Sequence, residues 1–542
     1  MDKVVIIGSG AAGLSAAIHL AEENVPSTVI SEMPSGRAQS NMAEGGINAA
    51  LDTMGQGDTP ALHEAETYKA GRFLACREAV RRLAHAAPDI VRTLFDWGMS
   101  LNLTETGQIA QRAFGGQSRK RTAFASASTG KQLMFTLATK ARMYEACGMI
   151  ESRIGWRFLK LVETNGRAQG VLLANTNSNQ IAYVPASGVI LASGGMNGLF
   201  GNATGSVLNK GNVTASLFAE GLPLANLEMI QYHPTTTRLH GKNMLITEAV
   251  RGEGGRLYVE RNGERLYFME EKYPELGNLM PRDVVAREEW YWIKQGIQPW
   301  LDMRDIPAEV SKNKLAGVLD ACHDFLSLDP LQAPIPVSPG IHYFMGGIYV
   351  DVNHRTRIRN LYAAGEAACQ YHGANRLGAN SLLGAIEGGR TAADAAMDDL
   401  HGKTSSFQPP AEWLAPACWL AGRKEGANLL SARKQLNLYL QKALGMERNE
   451  TDLLRCLEQV EKMEAQTDGC YDAQAPVDEN VIFPHSLLLA KAILHSALER
   501  KESRGAHTRS DCPGEREEYR KTTLSVYAGK AIRTVFQPIE GD

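Results

Sequence analysis

No two cysteines in this chain stand close enough to share a metal ion. The eight cysteines, Cys76, Cys147, Cys322, Cys369, Cys418, Cys456, Cys470 and Cys512, are scattered, and none forms a CxxC pair. Structural zinc and iron–sulfur clusters need closely spaced thiolates, so no metal site is expected in the chain itself. Charge of one sign is also missing. The 57 basic and 60 acidic residues leave a net charge of -3, which excludes the broad basic field of a nucleic-acid-binding protein. The triplet Arg119-Lys120-Arg121, taken alone, reads as a solvated face. No run of about 20 uninterrupted apolar residues is present, so no membrane span is expected. The start, Met1-Asp-Lys and then Val4, shows no leader pattern, and scattered thiols then read as reduced cysteines of a cytoplasmic protein. Internal repeats and low-complexity stretches are lacking too.

What is present is ordinary soluble-enzyme material, 44% hydrophobic and 22% charged over 542 residues. That length predicts roughly two to four domains. The apolar run Val4-Val-Ile-Ile7 reads as a buried parallel strand. Gly8-Ser-Gly10-Ala-Ala-Gly13 follows at once, then an Ala/Leu-rich helical stretch, Leu14–Glu22, and a second strand, Thr28-Val-Ile-Ser31. A GxGxxG between a buried strand and a helix is a dinucleotide-binding fingerprint. Gly8 makes the tight turn, Gly10 lets a pyrophosphate approach the backbone, and Gly13 lets the helix pack close to the sheet. The helix N-terminus offers free N–H groups to the phosphates. The second strand should end in an acid for the ribose. Here Ser31 stands at that end with Glu32 one place later, and either could serve.

Two later strand–glycine elements, Gly188-Val-Ile-Leu-Ala-Ser-Gly-Gly195 and Asn360-Leu-Tyr-Ala-Ala-Gly365-Glu366, resemble recurrent flavin-domain motifs. They imply an FAD-binding domain split by an insertion. Leu429–Leu444, Glu450–Thr467 and Ser486–Arg500 read as amphipathic helices of a following domain. The expected fold is α/β: a split FAD-binding Rossmann-type domain, an inserted α+β capping domain and a C-terminal helical domain. The expected limits are 1–227 and 343–403 for the flavin domain, 228–342 for the cap, 404–510 for the helices and 511–542 for a tail.

Between Leu227 and Leu383 lie five polar motifs beside glycines. They are His233-Pro-Thr-Thr-Thr, Thr247-Glu-Ala-Val-Arg251-Gly-Glu-Gly-Gly, Pro281-Arg-Asp283, Ile341-His-Tyr-Phe-Met-Gly-Gly347 and His372-Gly-Ala-Asn-Arg376-Leu-Gly-Ala-Asn-Ser381. Histidines, a threonine hydroxyl and arginine forks together suit carboxylates. An HP pair alone is usually a turn, and RGEGG alone could be a surface loop. The ordered set behind a flavin fingerprint is not explained that way.

The five motifs in this order resemble the flavoprotein subunit of succinate dehydrogenase and fumarate reductase, with L-aspartate oxidases as near relatives. The likeness extends to Phe114-Gly-Gly-Gln-Ser, Glu271-Lys-Tyr-Pro and Glu502-Ser-Arg-Gly-Ala-His507. It also takes in Glu44-Gly-Gly-Ile-Asn and Gly55-Gln-Gly-Asp-Thr-Pro. The resemblance implies that His233, Thr247 and Glu248 surround one carboxylate of fumarate or succinate, while His342 and Arg376 hold the other and polarise the double bond. It implies that Arg282 gives the proton, with Glu248 and Arg251 relaying protons to it from solvent. FAD would be held by Gly8, Gly10, Gly13, Ser31, Gly45, Gly46, Glu366, Ser381 and Leu382. A separate iron–sulfur subunit, with a membrane cytochrome anchor beyond it, is the implied partner, which would put the chain peripherally on the inner face of the membrane.

Two departures from the family pattern carry weight. Respiratory members attach FAD to a histidine a few residues before the EGG, and here Gln39 takes that position. An amide is too poor a nucleophile for the link, so non-covalent FAD and a bias toward fumarate reduction are expected. Aspartate oxidases carry a glutamate before Gly-Gly-His-Ser to meet the substrate amine. Phe114 stands there instead, and Met345 stands where they often have cysteine. Both favour fumarate and succinate. The alternatives are an L-aspartate oxidase, a reductase of another unsaturated carboxylate, and a flavin-binding or electron-transfer subunit that has lost catalysis.

Overall fold

The computed structural model describes residues 3–239, 241–400 and 407–540. The boundary expected at 403/404 lies outside the described residues. The flavin domain is built on a parallel five-stranded sheet in the order Leu361–Ala363, Gly188–Leu191, Val4–Ile7, Ser27–Ser31, Ile150–Ile154. All four neighbour pairs are parallel. In chain order this is the 3-2-1-4-5 arrangement of a doubly wound sheet, whose ligand crevice lies beyond the carboxyl ends of the strands where the order reverses, between Val4–Ile7 and Gly188–Leu191. Val4, Val5 and Ile6 are fully buried, as a run covered on both faces must be. The helix Ala11–Glu22 crosses close over the long helix Asn380–Asp399, because small residues face each other there. A side chain at Gly389 would meet the Ala12 carbonyl at 2.3 Å.

The chain leaves this domain at Ile230. The cap contains a three-stranded antiparallel sheet, Lys242–Leu245, Ile230–Leu239 and Ser338–Phe344. A four-stranded sheet and the helices Arg282–Ile293 and Ala316–Leu326 complete it. Ser338–Phe344 runs straight through the position expected to end the cap, so cap and flavin domain share a continuous strand. Phe114 and Ala379, from the flavin-domain segments, pack into the apolar core of the cap.

Three long helices follow, Leu429–Ala443, Glu450–Thr467 and Val477–Glu499. The first two open on asparagine caps, Asn428 to the Ser431 N–H and Asn449 to the Asp452 N–H. The third starts nine residues before the sequence-based start at Ser486. Pro484 lies inside it, and buried Val481, Ile482 and Phe483 pack the turn before that proline. Among the described residues this helix alone is long and apolar enough to cross a membrane, yet 72% of its apolar window is buried in the protein core. Residues in the expected tail form a hairpin, Thr522–Ala528 with Ala531–Gln537. Its first strand pairs with Leu224–Ala225 of the flavin domain.

Candidate functional site

A cavity of about 640 Å³ runs from the turn after Val4–Ile7 to the underside of the cap. Gly8 has φ +117°, and a Cβ there would sit 2.2 Å from the Ala192 carbonyl. A Cβ on Gly13 would sit 1.9 Å from the Gly8 carbonyl. The chain's own packing demands both glycines. Gly10 is different, because its nearest neighbour would be Ser40 Oγ at 3.4 Å, an ordinary contact. Its open side faces the cavity at the start of the Ala11–Glu22 helix, whose first N–H, that of Ala11, donates to Ser40 Oγ at 3.2 Å. That arrangement fits a pyrophosphate.

The remaining expected cofactor residues, Ser31, Gly45, Gly46, Glu366, Ser381 and Leu382, all line this cavity. Ser31 Oγ donates to the Met33 carbonyl at 2.8 Å, and Glu32 beside it pairs with Arg157 at 2.8 Å. Gln39 also lines the cavity, and its amide oxygen accepts from the Ser206 N–H. Glu366 accepts from the Phe344 N–H at 3.1 Å, and burial pushes its carboxyl up to about 7. Ser381 and Leu382 sit in the first turn of Asn380–Asp399, whose cap residue Ala379 adopts the left-handed conformation at φ 63°. Phe114 is fully buried. Its ring is clamped between two glycines, since a Cβ on Gly45 or Gly378 would lie 2.8 or 2.7 Å from it.

The cap end of the cavity gathers His233, Thr247, Glu248, Arg282, His342 and Arg376. Arg282 heads the helix Arg282–Ile293. It grips Glu248 Oε2 through Nε and Nη2, both at 2.7 Å. The other Glu248 oxygen accepts from the Gly115 N–H at 2.8 Å and lies 3.2 Å from Arg251 Nη2. The three residues proposed from sequence as a relay are therefore in line, Arg282–Glu248–Arg251. Arg251 itself does not line the cavity but lies behind Glu248, its Nη1 donating to the Asn278 carbonyl at 2.6 Å. His233 and His342 meet edge to face with ring centroids 4.9 Å apart. Thr247 lies just before the short helix Ala249–Gly252, which carries Arg251.

Positive charge dominates this end. Burial, reinforced by Arg282 and Arg376, drives both His233 and His342 well below their ordinary range. They are therefore neutral hydrogen-bonding groups near neutral pH. Burial alone would raise the Glu248 carboxyl, but Arg282 and Arg251 pull it below its usual value, so it is ionised. Burial and the nearby Arg282 lower Arg376 to about 9. Arg376 stacks on the Tyr343 ring at 4.5 Å, and its Nε has no partner. Three guanidiniums and one carboxylate leave an excess of buried positive charge beside an open cavity. That excess suits a dianionic ligand.

Sequence reasoning missed several supports of this site. Gln231 accepts from Arg282 Nη1 at 3.2 Å and donates to the Arg376 carbonyl at 2.8 Å, tying the two arginines together. It lies two residues before His233 on one strand, so period-two alternation puts both on one face and could have flagged it. Thr204 Oγ1 contacts His342 Nδ1 at 2.8 Å and orients the ring. It belongs to a loop with no motif, and no sequence signal marks it. The backbone N–H of Gly115 has no side-chain signature at all.

Residues 3–382 match a family described as FAD binding domain, and residues 433–540 match one described as fumarate reductase flavoprotein C-term. The chain is 36% identical to the succinate dehydrogenase flavoprotein subunit of Bacillus subtilis, over 97% of this chain and 94% of that protein. It is 32% identical to the fumarate reductase flavoprotein subunit of Mycobacterium tuberculosis, over 95% and 93%. A solved structure of E. coli quinol fumarate reductase superposes with a TM-score of 0.90 at 26% identity, covering 99% of this chain and 97% of that one.

Proposed function

The chain belongs to the succinate dehydrogenase and fumarate reductase flavoprotein family, and on that premise we propose that it interconverts fumarate and succinate at FAD, favouring fumarate reduction. The observation that carries this reading is the Arg282–Glu248–Arg251 line, which ends in the same cavity as the unpaired Arg376 donor and the Gly8–Gly13 turn. Gly10, Gly45, Gly46, Glu366, Ser381 and Leu382 would hold FAD, with Ser31 near the ribose. Reduced FAD, when bound, supplies the hydride.

The chain's own residues do the rest. His233 and Thr247 hold one carboxylate, with Glu248 beside it. Arg376 and His342 hold the other and draw electron density toward it. Charge that builds on the alkene during hydride addition is stabilised by the buried guanidiniums, which are already oriented. Arg282 donates its proton to the second carbon. Free guanidinium scarcely loses a proton, so the transfer has to be matched by immediate replacement through Glu248, which bonds Arg282 directly. The cap excludes water and strengthens each of these interactions.

Gln39 supports non-covalent FAD, and weaker tuning of the flavin toward succinate oxidation follows from the family pattern. Acid denaturation should then release all of the flavin, and flavin remaining in the precipitate would contradict the assignment. The electrons are to come from an iron–sulfur subunit, itself on a membrane anchor, which would hold the chain on the cytoplasmic face. The clamped Phe114 ring offers a substrate ammonium no carboxylate, which disfavours aspartate oxidation. The test is anaerobic. The dithionite-reduced flavoprotein should re-oxidise rapidly on addition of fumarate, and the oxidised protein should not bleach with aspartate. Bleaching by aspartate would reassign the chain as an aspartate oxidase. No response to either would point to another acceptor or to a subunit that no longer catalyses.

A further inference from the structure

The motif Pro281-Arg-Asp283 puts two charged side chains at the start of the helix Arg282–Ile293, and only the first has a part in the reaction proposed above. An acid in the first turn of a helix is ordinarily a solvated partner of the helix dipole. The Asp283 side chain is instead 1% exposed and carries three bonds. Its Oδ2 pairs with Arg72 Nη2 at 2.6 Å and with Arg287 Nη1 at 3.2 Å, and its Oδ1 accepts from Asn375 Nδ2 at 3.1 Å. Arg287 belongs to the same helix. Arg72 and Asn375 stand on the flavin domain, so those two bonds cross from the cap to the flavin domain.

Arg72 follows the helix Pro60–Ala70 on a strained loop. It and Phe73 both adopt the left-handed conformation, at φ 52° and 59°, which is costly for residues that carry a Cβ. The loop is fastened to the segment that carries Arg376. The Ala374 N–H donates to the Gly71 carbonyl at 2.9 Å, and a Cβ on Gly373 would sit 2.4 Å from the same oxygen. From the other side, Arg504 Nη1 donates to the Arg72 carbonyl at 3.3 Å. Arg72 is therefore fixed relative to Arg376, as Asp283 is relative to Arg282. Asn375 adds a second connection. Its Oδ1 accepts from Gln231 Nε2 at 2.9 Å, and Gln231 in turn accepts from Arg282 Nη1.

Resting on the reading of Arg282 as proton donor and Arg376 as carboxylate holder, we propose that Arg72 is a positioning residue for the reaction. Its pair with Asp283 latches the start of the Arg282 helix onto the flavin domain and so sets the spacing of the two substrate arginines. Arg72 does not line the cavity and acts only through Asp283. A proton donor displaced by about 1 Å loses on the order of 100-fold in rate, which is the scale of effect such a latch can have.

The test is Arg72→Met, which keeps most of the side-chain length and removes the charge, beside Arg72→Lys, which keeps the charge. In the Met variant the kcat for fumarate reduction should fall about 10- to 100-fold. KM should change much less, because Arg376 stays on its own loop. FAD content and thermal midpoint should remain near wild type, since the Arg72 side chain is 30% exposed and fills no core. Arg72→Lys should recover most of the rate. Independently of turnover, amide hydrogen exchange over residues 282–293 should quicken in the Met variant and not in the Lys variant. Lys272→Met, which removes the exposed Lys272 from its 2.7 Å pair with Glu288 on the same helix, should change neither rate nor exchange. A wild-type kcat or unchanged exchange in Arg72→Met overturns the latch. So does a loss of rate that follows the thermal midpoint and that Arg72→Lys does not recover, which would make Arg72 a structural part of its loop and no more. A wild type inert to fumarate sinks the reading of the site, and faster exchange confined to Arg72→Met would then uphold the latch without its catalytic purpose.

Discussion

Two clusters of buried arginine and glutamate sit in this chain, and they are built to opposite ends. Around Glu228 the charges balance. Arg500 Nε binds Glu228 at 2.6 Å, and its Nη1 binds Glu502 and the Tyr519 carbonyl. Its Nη2 binds Thr523 and the Lys521 carbonyl, so every guanidinium nitrogen is used. Glu502 in turn accepts twice from Arg504 and once from the Arg516 N–H. Arg500, Arg504 and Arg448 face the carboxylates of Glu228, Glu502 and Glu515, with Glu228 Oε2 and one Arg448 nitrogen left bare, and the cluster staples the Glu502–His507 motif and the C-terminal hairpin onto the flavin domain. At the cap end, Arg282, Arg376 and Arg251 share one carboxylate, Glu248, and bare donors remain. Buried polar groups in a settled core find partners. What sets the cap end apart is surplus positive charge with a bare Arg376 donor on the cavity wall, an arrangement that suits an anionic ligand.

Three substitutions sharpen the contrast. Arg282→Ala should cut fumarate turnover by about 10³-fold or more. It should leave FAD bound and the thermal midpoint nearly unchanged, because Glu248 keeps Arg251 and the Gly115 N–H. Substantial residual activity in steady-state assays would remove Arg282 as the donor. Arg500→Leu should do the reverse. It strips a partner from buried Glu228 and Glu502 and should cost about 3–5 kcal/mol in denaturant unfolding, while kcat per folded molecule stays close to wild type. A strong loss of kcat with intact stability would erase the distinction between the clusters.

The smallest effect is a pH dependence at Glu366, on the cavity wall. Its folded-state carboxyl titrates at about 7 against an ordinary value of 4.5. Between those values the folded state holds the proton more tightly than the unfolded chain, so wild-type stability falls as pH rises. Glu366→Gln cannot titrate. Its stability relative to wild type should therefore increase from pH 4.5 to 7 and level off above. A difference that does not change with pH, in thermal unfolding of the flavin-free protein, would show that the carboxyl is not held protonated.

Much of this was legible before any coordinates. Gly8, Gly10 and Gly13 announced the turn, and each motif from His233 to Arg376 puts a side chain on the cavity wall, with Arg251 behind Glu248. The helices Leu429–Ala443 and Glu450–Thr467 followed from apolar periodicity. The third helix starts earlier than the Ser486 start expected, its first two turns held by buried Val477, Val481, Ile482 and Phe483 ahead of and around Pro484. The hairpin in the expected tail escaped notice because its pairing partner, Leu224–Ala225, lies about 300 residues away. Phe114 was read as a bare apolar face toward the substrate, yet its clamping by Gly45 and Gly378 depends on three distant segments.

The sequence by itself determined the family, the α/β class and the candidate side chains of the site, because those rest on residue type and local spacing. Tertiary structure alone decided which charges stand alone. Gln231 became the tie between Arg282 and Arg376, and Gly115 the anchor of Glu248. Whether a buried charge is paired depends on what segments far apart in the chain bring within about 3 Å, and no local pattern records that.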